Sequence, residues 1–319
     1  MALGAWQVSA LLLAAALAAA APAMERPLTA PGPLAPLAGT LLDAGKRAPV
    51  IVIIPGSGPT DRDGNSPLGV TASNLRLLAE GLAKRGISTV RVDKRGMFGS
   101  KAAIANGNDV TIAAYAADAH AWARAARAAT GAKCVWLLGH SEGSLVALAA
   151  GQDRTDLCGV ISVSGMGRKA GTVIRDQLQS NPANAPILAP ALAALDSLEQ
   201  GRKVDSATLP APLQGLFGNA VQPYLINLFA QDPARLAATL KLPLLIVQGD
   251  RDLQVKVADA KALAAAQPKA KLVILPGVNH VLKTVATDSS AANFATYSDS
   301  SLPIAPGVVD AIAGFVGKR

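Results

Sequence analysis

Short apolar runs alternate with helical patterns along most of this chain, and this alternation constrains its fold most strongly. The runs are "APVIVIIPG" (48–56), "ISTVRVD" (87–93), "KCVWLLG" (133–139), "CGVISVSG" (158–165), "PLLIVQGD" (243–250) and "KLVILPG" (271–277). Helical patterns occupy 71–85, 110–129, 142–152, 255–267 and 305–317. Near-continuous apolar runs of this length suit strands that are buried on both faces of a parallel sheet. The sequence therefore predicts a doubly wound α/β fold.

One interval interrupts the alternation. Residues 166–242 contain Ala/Leu-rich helical patches and several prolines but no strand pattern. A structureless loop of that length is improbable inside a compact domain. We therefore predict a helical lid at 166–242, inserted into a core formed by residues 24–165 and 243–319. The Pro-rich stretch 24–36 is expected to be an extended lead-in.

The amino-terminal stretch predicts export. Residues 1–23 carry no charged side chain and contain an apolar run followed by small residues that end in "APA". This pattern indicates a secretory signal peptide, with an uncleaved membrane anchor as the alternative because the run is nearly long enough to span a bilayer. We expect a periplasmic or secreted protein with no membrane span after signal cleavage.

The charge distribution does not favour nucleic-acid binding. The net charge of +8 comes from scattered basic pairs, and aromatic residues make up only 3% of the chain. Nucleic-acid interfaces instead concentrate basic residues on one face and interleave them with aromatic side chains. A mildly basic, solvated surface is the better interpretation.

A candidate nucleophile lies in "WLLGHSEGSLVAL" (136–148). The G-x-S-x-G pentapeptide follows a buried-strand pattern and opens a helix, which is the context of a nucleophile elbow. Gly139 and Gly143 flank Ser141 because side chains there would collide with the neighbouring strand and helix. The alternative is a turn or N-cap serine.

The candidate general base and its orienting acid are identified by their positions after predicted strands. Of the three histidines, His140 adjoins the serine and His120 lies in a helical pattern, whereas His280 follows the last strand. Catalytic groups collect at the carboxyl ends of strands in open α/β sheets, so His280 is the predicted base. Asp250 and Asp252 follow the strand before it. Asp252 is favoured because Asp250 is close enough to the strand end to serve as a turn residue.

The predicted oxyanion hole consists of two backbone donors. One is the N–H of Glu142, and the other is the N–H of Ser57 in the glycine-rich loop "PGSGPTDRDGN". Each such donor contributes about 3–4 kcal/mol of barrier lowering. The Glu142 side chain is unexplained, because its charge would oppose an oxyanion. We hypothesise that it pairs with Arg62, and a solvated Glu142 is the alternative.

Several motifs together resemble the lidded esterases related to serine aminopeptidases, within the α/β-hydrolase superfamily. They are "GSGPTDRDG", "DKRGMFGS", "GHSEGS", "QPYLINLFAQDP", "GDRDLQV" and "GVNH". The resemblance implies an eight-stranded, mostly parallel sheet with an inserted helical lid, and no metal or organic cofactor. It places the acid in a G-x-x-D pattern, here Gly249 to Asp252, and the order Ser…Asp…His matches this fold's triad. Where many relatives have His-Gly, this chain has Pro55-Gly56.

The same resemblance bears on the two cysteines. Its strand order makes the strand before Ser141 a neighbour of the strand at 158–164, so Cys134 and Cys158 would both lie at strand starts, away from catalysis. A disulfide is feasible at that spacing, and two buried free thiols are the alternative.

The predicted function is hydrolysis of carboxylic esters of small to medium apolar substrates, through an acyl-enzyme on Ser141. An aminopeptidase would need lid carboxylates for the free amine of its substrate, and the predicted lid has few of them. They are Asp176, Asp196, Glu199, Asp205 and Asp232. An aminopeptidase or amidase, an acyltransferase and a non-catalytic binding protein stay open as alternatives.

Overall fold

Eight strands form one sheet in the computed structural model, which describes residues 23–317. The strands are β1 (Met24–Ala30), β2 (Leu37–Asp43), β3 (Val50–Ile54), β4 (Ser88–Val92), β5 (Val135–His140), β6 (Leu157–Val163), β7 (Leu244–Gly249) and β8 (Lys271–Leu275). Their order across the sheet is β1-β2-β4-β3-β5-β6-β7-β8. β2 pairs antiparallel with both β1 and β4, and every other pairing is parallel. The predicted α/β fold with a mostly parallel sheet of eight strands is confirmed.

A strand coincides with each of the six apolar runs to within one residue, but the lead-in differs from its prediction. Residues 24–30 are extended as expected, and they form a strand that pairs with β2 along its whole length. The apolar pattern is weak there because β1 is an edge strand whose residues are mostly exposed. An edge strand with one partner does not need the continuous apolar sequence of a central strand.

Helices cover both faces of the sheet. They are α1 (Asn74–Ala83), α2 (Ile112–Thr130), α3 (Glu142–Ala150), α4 (Ala170–Ser180), α5 (Leu188–Glu199), α6 (Ala211–Leu216), α7 (Gln222–Phe229), α8 (Pro233–Thr239), α9 (Val257–Ala266), α10 (Ser290–Ala295) and α11 (Pro306–Val316). Each of the five predicted helical patterns coincides with one of them to within a few residues. The longest, α2, begins after Thr111, whose side chain accepts from the Ala114 N–H, and ends at Gly131 with φ 74°. These are the expected start and stop signals of a helix.

The sheet separates two apolar cores. Along β3, Val50, Val52 and Ile54 belong to the core beneath α2, α3 and α9, while Ile51 and Ile53 belong to the core beneath α1 and α11. Successive side chains of a strand point to opposite faces, so a run of five apolar residues fills both cores. The central strands therefore hold the loops at their carboxyl ends on a rigid base.

Helices α4 to α8 all lie within residues 166–242, the segment that we call the insertion. Buried side chains of the insertion, such as Leu195, Phe217 and Leu228, join the core beneath α2 and α3. Polar contacts also attach it, because the Asn227 side chain accepts from the N–H of Ile112 at 2.9 Å. That the insertion acts as a lid stays a prediction.

The two cysteines are bonded to each other. Cys134 and Cys158 form a disulfide with their Cα atoms 5.2 Å apart, at the starts of β5 and β6. Of the two alternatives that the sequence left open, the structure has the disulfide. Because β5 runs from Cys134 toward Ser141, the bond lies at the opposite end of the sheet from the candidate nucleophile.

The predicted signal peptide, residues 1–23, lies outside the described residues except for Ala23. Within residues 23–317, no helix combines the length and the hydropathy that crossing a membrane requires.

Candidate active site

Ser141 lies on a strained turn between β5 and α3. Its φ of 55° and ψ of −122° are unfavourable for a residue with a side chain, and such strain is concentrated at functional sites. Glycines make the turn possible: a Cβ on Gly139 would overlap the Gly143 carbonyl, and one on Gly143 would overlap the Ile54 carbonyl. The turn therefore has the geometry that the nucleophile-elbow prediction requires.

Asp252 and His280 lie on neighbouring loops and contact each other. The Nδ1 of His280 is 2.8 Å from Oδ2 of Asp252, and both side chains are buried. Oδ1 of Asp252 accepts from the N–H groups of Gln254 and Val255 at 2.8 and 2.9 Å. Burial acts to raise the pKa of Asp252, but His280 and these hydrogen bonds outweigh it and hold the pKa below its usual value. The carboxylate is therefore ionised at neutral pH, and Nδ1 donates to it.

Asp250, the other candidate acid, has a different partner. Its Oδ1 accepts from the N–H of Gly277 at 2.7 Å, and its own N–H donates to the carbonyl of Leu275. It joins the end of β7 to the turn after β8. Only Asp252 of the two contacts His280.

Ser141 and His280 line the same pocket, which has a volume of about 210 Å³. The described residues contain no hydrogen bond between Ser141 Oγ and Nε2 of His280, so the structure brings these groups to one cavity without joining them. Such contacts are often long without substrate. The other lining residues are Gly56, Ser57, Thr60, Gly64, Ser66, Leu68, Val70, Asn74, His140, Gln254, Val281 and Tyr297.

Both predicted oxyanion donors are available beside the serine. Within residues 23–317, the N–H groups of Ser57 and Glu142 donate to no protein acceptor. The loop that carries Ser57 packs directly on the elbow, since a Cβ on Gly56 would lie 3.2 Å from the Cβ of Ser141. The oxyanion roles of these groups stay predictions.

The predicted Arg62–Glu142 ion pair is wrong, and so is the solvated alternative. Arg62 pairs with Asp93 at 2.5 Å, and Glu142 is buried with its Oε1 3.5 Å from Nζ of Lys94. Asp93 also accepts from the N–H groups of Arg62 and Gly99. Arg62 therefore binds the carboxylate of Asp93, which directly follows β4, and Glu142 pairs with a different cation.

Lys94 is a site residue that sequence reasoning missed. Its Nζ donates to the carbonyl oxygen of Gly56 at 2.5 Å and lies 5.6 Å from the ring centre of Tyr115. Burial lowers the pKa of Lys94, and the charge of Glu142 opposes that decrease. The available signal was a basic residue directly after the apolar run 87–93, where a parallel sheet presents functional groups.

His140 contacts the loop that carries His280. Its Nε2 donates to the backbone carbonyl of His280 at 2.8 Å, and the two rings lie 4.9 Å apart. Burial and the neighbouring His280 lower the pKa of His140 to about 4, so its ring is neutral at neutral pH. The sequence indicated only that His140 must diverge from Ser141. The third histidine, His120, contacts the carbonyl of Ala150 instead.

Known proteins resemble this chain over most of its length. A model of the alpha/beta hydrolase family matches residues 51–296. Esterase EstD of Thermotoga maritima is 26% identical over 241 residues, which cover 73% of this chain and 54% of EstD. The chain thus spans about half the length of that curated relative.

Solved structures share the fold at lower identity. Est1E from Butyrivibrio proteoclasticus is 16% identical with a TM-score of 0.56, and the match covers 92% of this chain and 99% of Est1E. The Pyrococcus furiosus esterase Pf2001 is 18% identical with a TM-score of 0.53, over 80% of this chain and 83% of its own.

Proposed function

The chain belongs to the alpha/beta hydrolase family, and from this premise we propose that it is a serine hydrolase that cleaves carboxylic esters through an acyl-enzyme. Ser141 is the nucleophile, His280 the base and Asp252 the group that orients and stabilises the imidazolium. One observation carries the proposal: His280 is hydrogen-bonded to a buried, ionised Asp252 and lines the same pocket as the strained Ser141.

The proposed reaction has two halves. As Ser141 Oγ attacks the acyl carbonyl, Nε2 of His280 takes its proton, and the developing oxyanion accepts from the N–H groups of Ser57 and Glu142. The imidazolium then protonates the leaving alkoxide, which departs as the alcohol. In the second half, His280 removes a proton from water as its oxygen attacks the acyl carbon. The bond from that carbon to Ser141 Oγ then breaks, the imidazolium returns its proton to Oγ, and the acid is released.

The carboxylates of the insertion favour an ester as the substrate over an aminopeptidase substrate, which is an amide that carries a free amino group. All five have local partners: Asp176 pairs with Arg168, while Asp196 and Glu199 pair with Arg175. The side chains of Asp205 and Asp232 accept from the first N–H groups of short helices. Since the pocket lining contains no Asp or Glu, no anion is placed to bind an ammonium group.

The pocket favours a neutral substrate of small to medium size. Leu68, Val70 and Val281 supply apolar surface, and Asn74 and Gln254 supply neutral polar groups. Every lining residue lies outside the insertion, so the apolar composition of the insertion has no part in this pocket. The inference about substrate class depends instead on the pocket residues in the loop between β3 and α1.

Location in the periplasm or outside the cell is part of the proposal. The sequence of residues 1–23 supports it, and so does the disulfide, since such bonds persist in oxidising compartments.

The test compares turnover of p-nitrophenyl acetate, butyrate and octanoate by the wild type and Ser141→Ala. We expect the wild type to hydrolyse at least one ester and the variant to lose at least about 10³-fold in kcat. Alanine p-nitroanilide and an added alcohol are run in parallel. Faster turnover of the anilide would indicate an amidase, and acyl transfer in preference to hydrolysis would indicate an acyltransferase. Equal ester turnover by both proteins would contradict the proposal.

A further inference from the structure

A buried ion pair lies behind the candidate oxyanion hole. Lys94, which follows β4, and Glu142, the first residue of α3, are 5% and 2% exposed. Burying two charges is costly unless they gain a compensating interaction, so the pair is weak evidence for stability alone. Its position relative to the pocket indicates another use.

Lys94 binds the peptide group that contains a predicted oxyanion donor. The carbonyl oxygen of Gly56 and the N–H of Ser57 belong to one peptide unit, and Nζ of Lys94 donates to that oxygen at 2.5 Å. This peptide bond is trans, so its C=O and N–H point in opposite directions. Lys94 lies on the buried side of the loop, and Ser57 lines the pocket with Ser141. The carbonyl therefore points to the ammonium group while the N–H points away from it.

The same ammonium group offsets the charge of Glu142. The backbone N–H of Glu142 is the second predicted donor, but its carboxylate would disfavour negative charge on the substrate oxygen. With Oε1 3.5 Å from Nζ of Lys94, that charge is paired. One cation thus acts on both donor residues, through the Gly56 carbonyl and through the Glu142 carboxylate.

One side chain of the insertion lies beside this pair. Tyr224 of α7 is partly buried with its hydroxyl oxygen shielded from solvent, packs edge-on against Tyr115 of α2 with ring centres 6.3 Å apart, and lies beside Glu142. Exclusion of water lowers the local dielectric, so a charge acts more strongly on a neighbouring dipole.

We propose that Lys94 is a positioning residue that orients and polarises the Gly56–Ser57 peptide as an oxyanion donor, with Glu142 as its counterion. A hydrogen bond from a cation is stronger than one between neutral groups, and a polarised amide donates more strongly through its N–H. The gain is larger in the transition state than in the bound ester, because negative charge develops on the substrate oxygen as the tetrahedral intermediate forms. This inference rests on the proposed serine hydrolase activity.

The test removes both charges together, so that no uncompensated charge stays buried. The variant is Lys94→Met with Glu142→Gln, and the matched control is Arg95→Met with Asp118→Asn. Arg95 is the next residue and forms a partly buried ion pair with Asp118. Among the described residues, no hydrogen bond or ion pair joins either of them to Gly56 or Glu142. A second version, Lys94→Gln with Glu142→Gln, serves if the methionine variant does not fold.

We measure kcat and KM for the best ester, and inhibition by a trifluoromethyl ketone of the same acyl chain, which forms a tetrahedral oxyanion on a serine. The Lys94/Glu142 variant should lose about 10–100-fold in kcat. This loss should not exceed the effect of removing one oxyanion-hole donor completely, since the Ser57 N–H is still present. Its KM should stay within about twofold, and its inhibition constant should rise by the same factor as kcat falls. The control should keep all three values within about twofold of wild type.

Two results would overturn the inference. One is a Lys94/Glu142 variant whose kcat per folded molecule equals that of the control. The other is a kcat loss with no weakening of ketone binding, because an oxyanion role must affect both. Failure of the proposed function is distinguishable from these, because then the wild type itself would not turn over any ester.

Discussion

Two aspartates that are two positions apart in the chain have different partners. Asp250 binds the Gly277 N–H and closes a turn, whereas Asp252 is buried against His280. The backbone geometry of the loop after β7 decides this difference, since both residues have the same side chain. The same substitution at each aspartate therefore gives a matched comparison, because only the one at Asp252 removes a contact with the proposed base.

We expect Asp252→Asn to reduce kcat by about 10³–10⁴-fold, because an amide cannot stabilise the imidazolium or hold the correct tautomer. Asp250→Asn should reduce it less than about tenfold. Steady-state kinetics on one ester checks both, with circular dichroism as the control for folding. Similar losses in the two variants would contradict the assignment of Asp252.

His140 couples the stability of the fold to pH. Its pKa is about 4 in the folded chain, against 6.5 for an unperturbed histidine. Below pH 6.5 the unfolded chain gains a proton at this position that the folded chain does not take up until about pH 4. The stability from the neutral ring is therefore complete above pH 6.5 and is lost progressively between pH 6.5 and 4, by about 3 kcal/mol in total.

The comparison is His140→Gln, whose amide can still donate to the His280 carbonyl but does not titrate. The difference in free energy of unfolding between wild type and variant should shift against the wild type by about 3 kcal/mol between pH 7 and pH 4. Urea unfolding at several pH values measures it. A difference that stays constant with pH would show that His140 titrates normally in the folded chain.

For single residues, the sequence predicted the features that depend on a position at the end of one strand or in the loop that follows it. Ser141, Asp252 and His280 each follow a strand pattern, so their approach to one edge of the sheet was foreseeable. The Lys94–Gly56 contact was not, because it joins residues 38 positions apart and depends on side-chain length. The sequence suggested Arg62 or solvent as the surroundings of Glu142, and only the fold shows that Lys94 is its partner.

Among the elements, β5 and β6 are tied together by the only covalent cross-link of the described residues. The disulfide closes a loop between Cys134 and Cys158, which are 24 positions apart, and it lies at the strand starts. A loop of this size restricts the unfolded chain by about 3 kcal/mol.

Replacing both cysteines by serine should therefore lower the free energy of unfolding by about 2–4 kcal/mol and leave kcat nearly unchanged. Urea unfolding of the variant and of the wild type, each with and without reductant, measures the loss. Reductant should destabilise only the wild type. A large decrease in kcat at temperatures where the variant is folded would contradict a purely structural role.

The loop between β3 and α1 supplies much of the pocket wall. Val70 and Leu68 of this loop line the pocket with Ser141, and Val70 packs toward Tyr297 and Val281. A larger side chain there reduces the space for an acyl chain, whereas the exposed Leu216 of α6 does not line the pocket.

We expect Val70→Phe to reduce kcat/KM for octanoate relative to acetate by about tenfold, because a few methylenes in an apolar pocket differ by that much. Leu216→Phe should leave the ratio unchanged. Turnover of the p-nitrophenyl ester series measures both. If Leu216→Phe changed the ratio and Val70→Phe did not, the insertion rather than this loop would bind the acyl group.

The strands show which elements a sequence pattern can predict. β3 to β7 are almost entirely buried, whereas β8 is a partly exposed edge strand. All six coincide with continuous apolar runs of the sequence, so all of them were predicted. β1 and β2 lie at the antiparallel edge, where β1 is largely exposed and begins a Pro-containing stretch, so their pairing was missed from the residues. Only the family resemblance implied eight strands.

At the scale of the whole molecule, the insertion contributes no residue to the lining of the pocket that contains Ser141 and His280. The insertion is helical and lies between β6 and β7, as its lack of strand pattern indicated. Its contribution to substrate binding could not be inferred from its composition, because the path of its helices decides which loops reach the pocket. Its contacts include α2, the core beneath that helix, and α9 through Arg168 and Asp259. It also reaches a pocket residue, because the Gln177 side chain donates to the backbone carbonyl of Gln254 at 2.8 Å.

The account depends most on the reactivity of a single hydroxyl, and covalent labelling measures it directly. The wild type is treated with a fluorophosphonate, digested and analysed by mass spectrometry. We predict one phosphonylated residue, Ser141, with labelling reduced by at least about 10³-fold in His280→Ala. A label on another residue, or no label on a folded wild type, would contradict the account.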